Sequence, residues 1–215
     1  MIMQYALLLE SPVSLALLVS IVLAGIAGLI WENLRDKHTL VPYDMIAYRE
    51  YWRLLTSGFM HGSYIHLLFN AITFYFFAFL LEARLGHWQF LVLYLLSLLL
   101  SNLAVTLIYR RDTAYEGSVG ASGAISGVVL SCVLVNPYLQ FGLPVLSDLY
   151  PALRLPAWIV AAVYLGYTLF GTLRRVETRI NHHAHLWGAI AGIALTFALK
   201  PSAWRLLAAF FRDLV

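Results

Sequence analysis

The sequence has 215 residues, of which 61% are hydrophobic and 12% are charged. Soluble domains carry about twice that share of charged residues, roughly 25%, so the composition excludes an ordinary soluble domain. The formal net charge is only +3, no run of Lys or Arg forms a nucleic-acid patch, and the single cysteine, Cys132, excludes an intramolecular disulfide framework.

Six apolar segments in the chain are candidates to cross a membrane, which requires about 20 mostly apolar residues in a helix. The predicted spans lie at about 12–31, 60–81, 88–109, 120–136, 157–172 and 183–199. The first is expected to be retained, since no positively charged region precedes it and it is too long for a signal peptide. We therefore expect an all-α polytopic membrane protein, a single domain over 1–215 with six transmembrane helices.

Three of the segments outside the predicted spans carry expectations of their own. The first is a polar loop from Glu32 to about Ser57. The segment from Tyr138 to Pro156 contains three prolines, Pro144, Pro151 and Pro156, and is expected to be a surface loop. Residues 202–215 are expected to form a short amphipathic helix on the membrane surface.

Polar side chains within the predicted spans are concentrated at one depth. His61, His66 and Asn70 are expected in the first turns of span two, Ser122 at the start of span four, and His185 at the start of span six. These three spans enter the membrane from the same side, so the five groups should lie close together. Ionisable and hydrogen-bonding side chains are costly within a membrane, which marks this end of the bundle as a functional site.

Small residues predict that spans four and six approach each other closely. Both carry the GxxxG spacing, at Gly123 and Gly127 and at Gly188 and Gly192. Glycines four apart allow helix backbones nearly to touch. Such contact would bring Ser122 within hydrogen-bond reach of His185, as a serine nucleophile and its general base require.

Four motifs resemble those of the rhomboid intramembrane serine proteases. The sequence GASG at 120–123 is similar to the family's GxSG motif on the fourth helix, and AHLWGAIAG at 184–192 resembles AHxxGxxxG on the sixth. HGSYIHLLFN at 61–70 resembles the HxxxN element of the second helix, and EYWR at 50–53 the tryptophan–arginine motif of the first loop. GxSG alone recurs in many serine hydrolases, whereas four motifs in the family's order are specific.

The resemblance implies an intramembrane serine endopeptidase that works with a Ser–His dyad and requires no metal, nucleotide or other cofactor. Ser122 would attack the scissile carbonyl, and His185 would act as general base and then as general acid. His66, Asn70 and the backbone N–H of Ser122 would donate hydrogen bonds to the oxyanion. The expected partners are the lipid bilayer and substrate proteins with a transmembrane segment.

Other motif residues are assigned supporting roles by the same resemblance. Trp52 and Arg53 would structure the first loop. His61 is expected to be structural, with a contact to the site as the alternative. The motif glycines would serve the helix packing: Gly120, Gly123, Gly188 and Gly192.

Two features depart from the family pattern. Many members carry an aromatic residue four positions after the nucleophile, stacked on the catalytic histidine, and this chain has Ser126 there. The apolar face of span four or Trp187 would then have to hold His185. With a cytoplasmic N-terminus, nine Lys and Arg residues fall outside and five inside, against the positive-inside rule. The resemblance nevertheless implies a cell-membrane protein with its site near the extracytoplasmic face.

Three alternative functions fit the sequence less well. A zinc site could draw on several histidines, but no HExxH motif and no neighbouring acidic residue supports it. The histidines concerned are His61, His66, His182, His183 and His185. A non-catalytic relative that binds membrane clients would typically lack the serine or the histidine. A transporter would be expected to show an inverted repeat or intramembrane carboxylates.

Overall fold

A computed structural model describes residues 10–141, 154–174 and 181–214. Within these ranges the regular structure consists of α-helices, a single 3-10 turn at Ser57–Phe59 and one short antiparallel pair of strands, β1 (Gln140–Phe141) and β2 (Leu155–Pro156). The helices in chain order are α1 (Pro12–Ile30), α2 (Glu32–His38), α3 (Pro42–Ala47), α4 (Arg53–Thr56), α5 (Tyr64–Leu85), α6 (His87–Tyr109), α7 (Ser122–Val135), α8 (Ala157–Arg174), α9 (His182–Leu199) and α10 (Ala203–Leu214). The prediction of an all-α, multi-pass membrane protein is confirmed.

Helix length and composition support fewer membrane spans than the six predicted. Among the described residues, α1, α5, α6 and α8 are long and apolar enough to cross a membrane. A fifth span results if α9 and α10, bent by 107° relative to each other, count as one broken span. Helix α7 has 14 residues, which gives a length of about 21 Å against a hydrocarbon core of about 30 Å. Six spans therefore stays a prediction.

Helix α5 begins four residues later than the predicted second span. The Ser63 side chain caps it by accepting a hydrogen bond from the backbone N–H of His66, at 3.1 Å. The helix ends before Gly86, whose φ of +98° favours glycine. The expectation that His61 lies in the first turn of this span is therefore wrong, since the cap places His61 in the preceding segment.

The short helix α7 occupies the centre of the bundle. All its residues except Ser122 and Leu134 are buried. It packs backbone to backbone against α9: a Cβ atom on Gly188 would overlap the carbonyl of Gly123, and one on Gly127 would lie 2.9 Å from the carbonyl oxygen of Gly188. This close packing lets a helix too short to match the membrane lie inside the protein instead of against lipid.

The segment from Glu32 to Ser57, predicted as a polar loop, contains the short helices α2, α3 and α4. Arg53 joins α4 to the end of α2: its guanidinium donates hydrogen bonds to the backbone oxygens of Asp36 and Thr39, at 3.0 and 2.5 Å, and pairs with Glu50, which lies between α3 and α4, at 2.5 Å. The side chain of Arg53 is only 11% exposed. The guanidinium is always charged and presents its N–H donors in a fork, so it can bind several acceptors at once. The sequence alone does not show which acceptors lie within its reach.

The same segment is tied to the approach to α7. Leu40 and Ser118 exchange backbone hydrogen bonds at 3.0 Å in both directions. The N–H of Gly120 donates to the carbonyl of Ser57 at 2.9 Å. Trp52 precedes α4 and is 45% exposed, so its indole stands at the surface of this layer.

A buried carboxylate lies at the end of the bundle opposite the start of α7. Glu82, near the end of α5, is fully buried and accepts hydrogen bonds from the backbone N–H groups of Val13 and Ser14, at 3.1 and 2.6 Å. The ring of His87 contacts it at 2.6 Å. A carboxylate at a helix N-terminus satisfies N–H groups that have no partner within the helix. Glu82 thereby anchors the start of α1.

The C-terminal helix α10 turns sharply away from α9. Lys200, between the two helices, donates a hydrogen bond to the carbonyl of Arg84, and Tyr138 donates one to Asp213. The rings of Tyr138 and Phe210 meet edge to face at 5.2 Å. Of the predicted surface loop, Pro144 and Pro151 lie outside the described residues.

Candidate functional site

Ser122 is the first residue of α7, at the end of the bundle opposite Glu82. The chain enters the helix through Gly120, whose φ of +125° strongly favours glycine. The first N–H groups of a helix have no acceptor within it, so the N–H of Ser122 points out of the helix end together with the dipole. The Ser122 side chain is half-buried.

Two side chains of α5 face this helix start. A Cβ atom on Gly120 would lie 2.9 Å from Nε2 of His66 and 3.5 Å from Nδ2 of Asn70. Only a glycine therefore leaves room for both nitrogens beside the backbone that leads to Ser122. The arrangement presents two side-chain nitrogens and the backbone N–H of Ser122 to one region, which suits an anionic oxygen when the imidazole proton of His66 is on Nε2.

His61 contacts both of these residues from outside α5. It is fully buried, its Nε2 lies 2.9 Å from Nδ2 of Asn70, and its ring meets the ring of His66 at 5.1 Å. Because the Asn70 nitrogen can only donate, Nε2 of His61 accepts and its proton resides on Nδ1. Burial lowers the pKa of His61 to about 4, which keeps the ring neutral. One N–H of the Asn70 amide is thereby used, and the other stays available to the site.

His185 lies in the first turn of α9. Asn181 caps that helix by accepting a hydrogen bond from the N–H of Ala184, at 3.0 Å. The amide of Asn181 also donates to the hydroxyls of Tyr115 and Ser118, at 2.8 and 3.1 Å. These contacts join the start of α9 to the segment that precedes α7.

Ser122 and His185 thus occupy the same ends of two helices that touch along their glycines. Among the described residues no hydrogen bond links the Ser122 hydroxyl to the His185 ring, and neither residue is exposed. Hydrogen bonds between catalytic groups are often long without substrate and tighten on binding.

The ring that neighbours His185 comes from α8. Tyr164 lies nearly parallel to it, with 6.0 Å between the ring centroids and 29° between the planes. Trp187, one of the two predicted neighbours, is instead 43% exposed and lines an apolar depression on the outside of the bundle. Sequence reasoning missed Tyr164 because it belongs to a different helix, 38 residues after Ser126.

The remaining histidines of α9 do not assemble a metal site. His182 is buried against Gly171 and meets the ring of Tyr167 at 5.2 Å. His183 lies edge-on to Tyr109 at 5.7 Å. Within the described ranges, no three His, Cys, Asp or Glu side chains are grouped so that they could hold a metal ion. The zinc alternative therefore has no ligand set in this part of the chain.

Comparison with known proteins gives concordant matches. The Rhomboid domain family matches residues 48–202. A Bacillus subtilis (strain 168) protein named for the rhomboid proteases, YdcA, is 28% identical over 162 residues, covering 75% of this chain and 74% of that protein. Rhomboid-like protein 11, chloroplastic, of Arabidopsis thaliana is 30% identical over 164 residues, covering 71% of this chain and 55% of that protein. This chain therefore spans about half the length of the Arabidopsis relative.

Proposed function

This chain belongs to the rhomboid family of intramembrane proteases, and we propose that it is a serine endopeptidase that cleaves transmembrane or juxtamembrane segments with Ser122 and His185. The observation that carries the proposal is the contact of α7 with α9 at Gly123 and Gly188, because it sets the two side chains at the same end of adjoining helices. The nitrogens of α5 that face the start of α7 support the same assignment.

In the proposed reaction the Ser122 hydroxyl attacks the scissile carbonyl while His185 accepts its proton. The resulting oxyanion receives hydrogen bonds from His66, Asn70 and the Ser122 backbone N–H. Loss of one preorganised donor of this kind typically costs about 2.7–4 kcal/mol of transition-state stabilisation. His185 then protonates the leaving amine, and water hydrolyses the acyl-enzyme through the same base.

The substrate in this proposal is the helical segment of another membrane protein. A helix engages its carbonyls in its own hydrogen bonds, so the segment must unwind locally before Ser122 can attack. Small or helix-breaking residues near the scissile bond would favour this. Entry past α8 is the favoured route, since its few buried residues are small and leave most of its surface uncovered: Ala157, Ala161, Thr168 and Gly171. The site would open to water near the extracytoplasmic face of the cell membrane.

The test is to label the purified protein in detergent with a fluorophosphonate probe. The parent is expected to be labelled, whereas Ser122→Ala and His185→Ala are expected not to be. Thermal unfolding in the same detergent shows whether each variant is folded, and labelling should persist in EDTA. A folded parent that is not labelled would contradict the proposal and favour a client-binding role. Labelling of folded Ser122→Ala at the parent rate would equally overturn it.

A further inference from the structure

The ring that holds His185 belongs to the helix that a substrate would have to pass. Resemblance to the family leads one to expect an aromatic ring four residues after Ser122, on the same helix, but this chain has Ser126 there. The structure supplies a ring from α8 instead, with Tyr164 nearly parallel to His185 at 6.0 Å. A serine at this position removes the ring from α7 and, being small, leaves room for the tyrosine.

Ser126 also fastens this tyrosine in place. Its hydroxyl donates a hydrogen bond to the backbone oxygen of Ser122 at 2.7 Å. Because a serine hydroxyl has one hydrogen, the second contact, 2.5 Å to the Tyr164 hydroxyl, must be donated by Tyr164. The chain of donors therefore runs from Tyr164 through Ser126 to Ser122.

These contacts connect three helices at one point. Tyr164 touches α9 through its ring, at His185, and α7 through its hydroxyl, at Ser126. Ser126 is only 1% exposed, so water does not compete readily for the shared hydroxyls. Removal of α8 from the bundle would break the ring contact and the hydrogen bond together.

We propose that Tyr164 is a positioning residue for His185, fastened by Ser126, so that the histidine is held for reaction only while α8 is docked. The inference rests on the proposed function, since it assigns a role to the neighbours of the Ser122–His185 pair. A substrate that displaces α8 on entry would free the imidazole, and redocking of α8 around the substrate would realign it. Substrate admission and assembly of the site would thereby be coupled through one side chain.

The first experiment measures the second-order rate of fluorophosphonate labelling across pH for single and paired variants. Tyr164→Ala is expected to lower the rate about tenfold through loss of the ring contact, and Tyr164→Phe, which keeps the ring, about threefold. The double variant Ser126→Phe/Tyr164→Ala returns a ring to α7 in the space vacated on α8, and should recover most of the lost rate. Tyr167→Ala is the matched control, because Tyr167 lies one turn along α8 and contacts His182 instead.

The second experiment observes the His185 ring directly, without any need for activity. In protein labelled with [13Cε1]histidine, the His185 Hε1 resonance is assigned by its absence from His185→Ala. Loss of the Tyr164 ring current should shift this resonance in Tyr164→Ala, and not in Tyr167→Ala. If the parent does not react with the probe, the proposed function fails while the resonance still decides the contact.

The inference is overturned if Tyr164→Ala leaves both the labelling rate and the His185 resonance unchanged. It is also overturned if Tyr167→Ala slows labelling equally, or if the double variant is folded and recovers nothing, because either result would mean a general packing role for α8. Recovery in the double variant, with the resonance displaced in Tyr164→Ala alone, would support it.

Discussion

The side-chain amide of Asn70 has two neighbours, the His61 ring and the backbone that leads to Ser122. Its nitrogen lies 2.9 Å from Nε2 of His61 and also faces the backbone at Gly120. An amide nitrogen carries two hydrogens, so one contact fixes the orientation of the other. His61 is therefore more than a residue near the interface, since it determines where Asn70 points.

We expect His61→Leu to lower kcat about tenfold with little change in KM, since the buried amide loses the acceptor that orients it. Asn70→Ala, which removes the donor itself, should lower kcat by about 10²–10³. His61→Gln keeps an acceptor and should retain more activity than His61→Leu. The double variant His61→Leu/Asn70→Ala should have a kcat no lower than that of Asn70→Ala. Steady-state kinetics on a model transmembrane substrate would compare these four variants. Additive losses would contradict an action through Asn70.

The residues that stand in short motifs could be proposed for the site from the sequence, and those with roles set by tertiary contacts could not. Ser122 and His185 stand in local patterns that specify a residue and its spacing. Tyr164 stands in no such pattern, and the one available signal was the gap left by Ser126. Glu82 was also missed as an anchor, because its partners at the start of α1 lie almost 70 residues away.

At the scale of helices, the α7–α9 contact is the least tolerant of added volume. Gly188→Ala would drive a Cβ atom into the carbonyl of Gly123, which cannot rotate away. Overpacking of this kind typically costs about 1–3 kcal/mol, so we expect a lower midpoint of thermal unfolding in detergent. Gly166→Ala is the matched control, because nothing lies within 4 Å of a Cβ atom there. That variant should be neutral or slightly stabilised through helix propensity.

Glu82 allows a similar test at the other end of the bundle. Glu82→Ala leaves two backbone N–H groups of α1 without an acceptor in a buried position, at about 1–3 kcal/mol for each unsatisfied group. Glu82→Gln retains one acceptor oxygen and should lose less. Glu32→Ala is the control. The Glu32 side chain is 75% exposed and its ion pair with Arg35 is long, at 3.7 Å, so the unfolding midpoint of this variant should equal that of the parent within experimental error. Equal unfolding midpoints for Glu82→Ala and the parent would refute the anchoring role.

Hydrophobic runs predicted the long helices, whereas caps and tertiary contacts decided their limits and the shorter pieces. The bounds of every predicted span except the second agree to within two residues at each end with those of α1, α6, α7, α8 and α9. The second span shifted because Ser63 caps α5, a signal present in the sequence but outweighed there by the apolar run. Helices α2 to α4 were missed because they are short and are held by tertiary contacts, the hydrogen bonds of Arg53 and the burial of Met45 against Val105, which no periodic pattern in the sequence reveals.

For the whole molecule, the distribution of charge opposed the orientation expected from the family. Two of the nine cations assigned to the outer side are engaged in the first loop: Arg53 with Glu50 and two backbone oxygens, and Arg35 with Glu32 and Asp36. The positive-inside rule describes a bias in cations that flank transmembrane helices during insertion. Cations that are paired within a folded surface layer contribute less to that bias. A count of Lys and Arg in the sequence does not distinguish them from unpaired cations.

The orientation can be measured with thiol chemistry because Cys132 is buried. In intact cells, a membrane-impermeant maleimide should label Thr113→Cys, an exposed site in the segment between α6 and α7. Gln89→Cys, at the start of α6, should be labelled only after permeabilisation. The unaltered chain serves as the blank. The reverse pattern would place the Ser122 end in the cytoplasm and refute the proposed orientation.

The burial of α7 has a consequence for how the chain is made. Helix α9 starts 60 residues after α7, so at about 5–20 residues per second the ribosome needs roughly 3–12 s to supply this partner. Until then the helix that carries Ser122 is too short to cross lipid alone and presents bare glycine backbone. The insertion machinery must therefore shelter it during translation, and a nascent chain arrested before α9 should still crosslink to that machinery through α7.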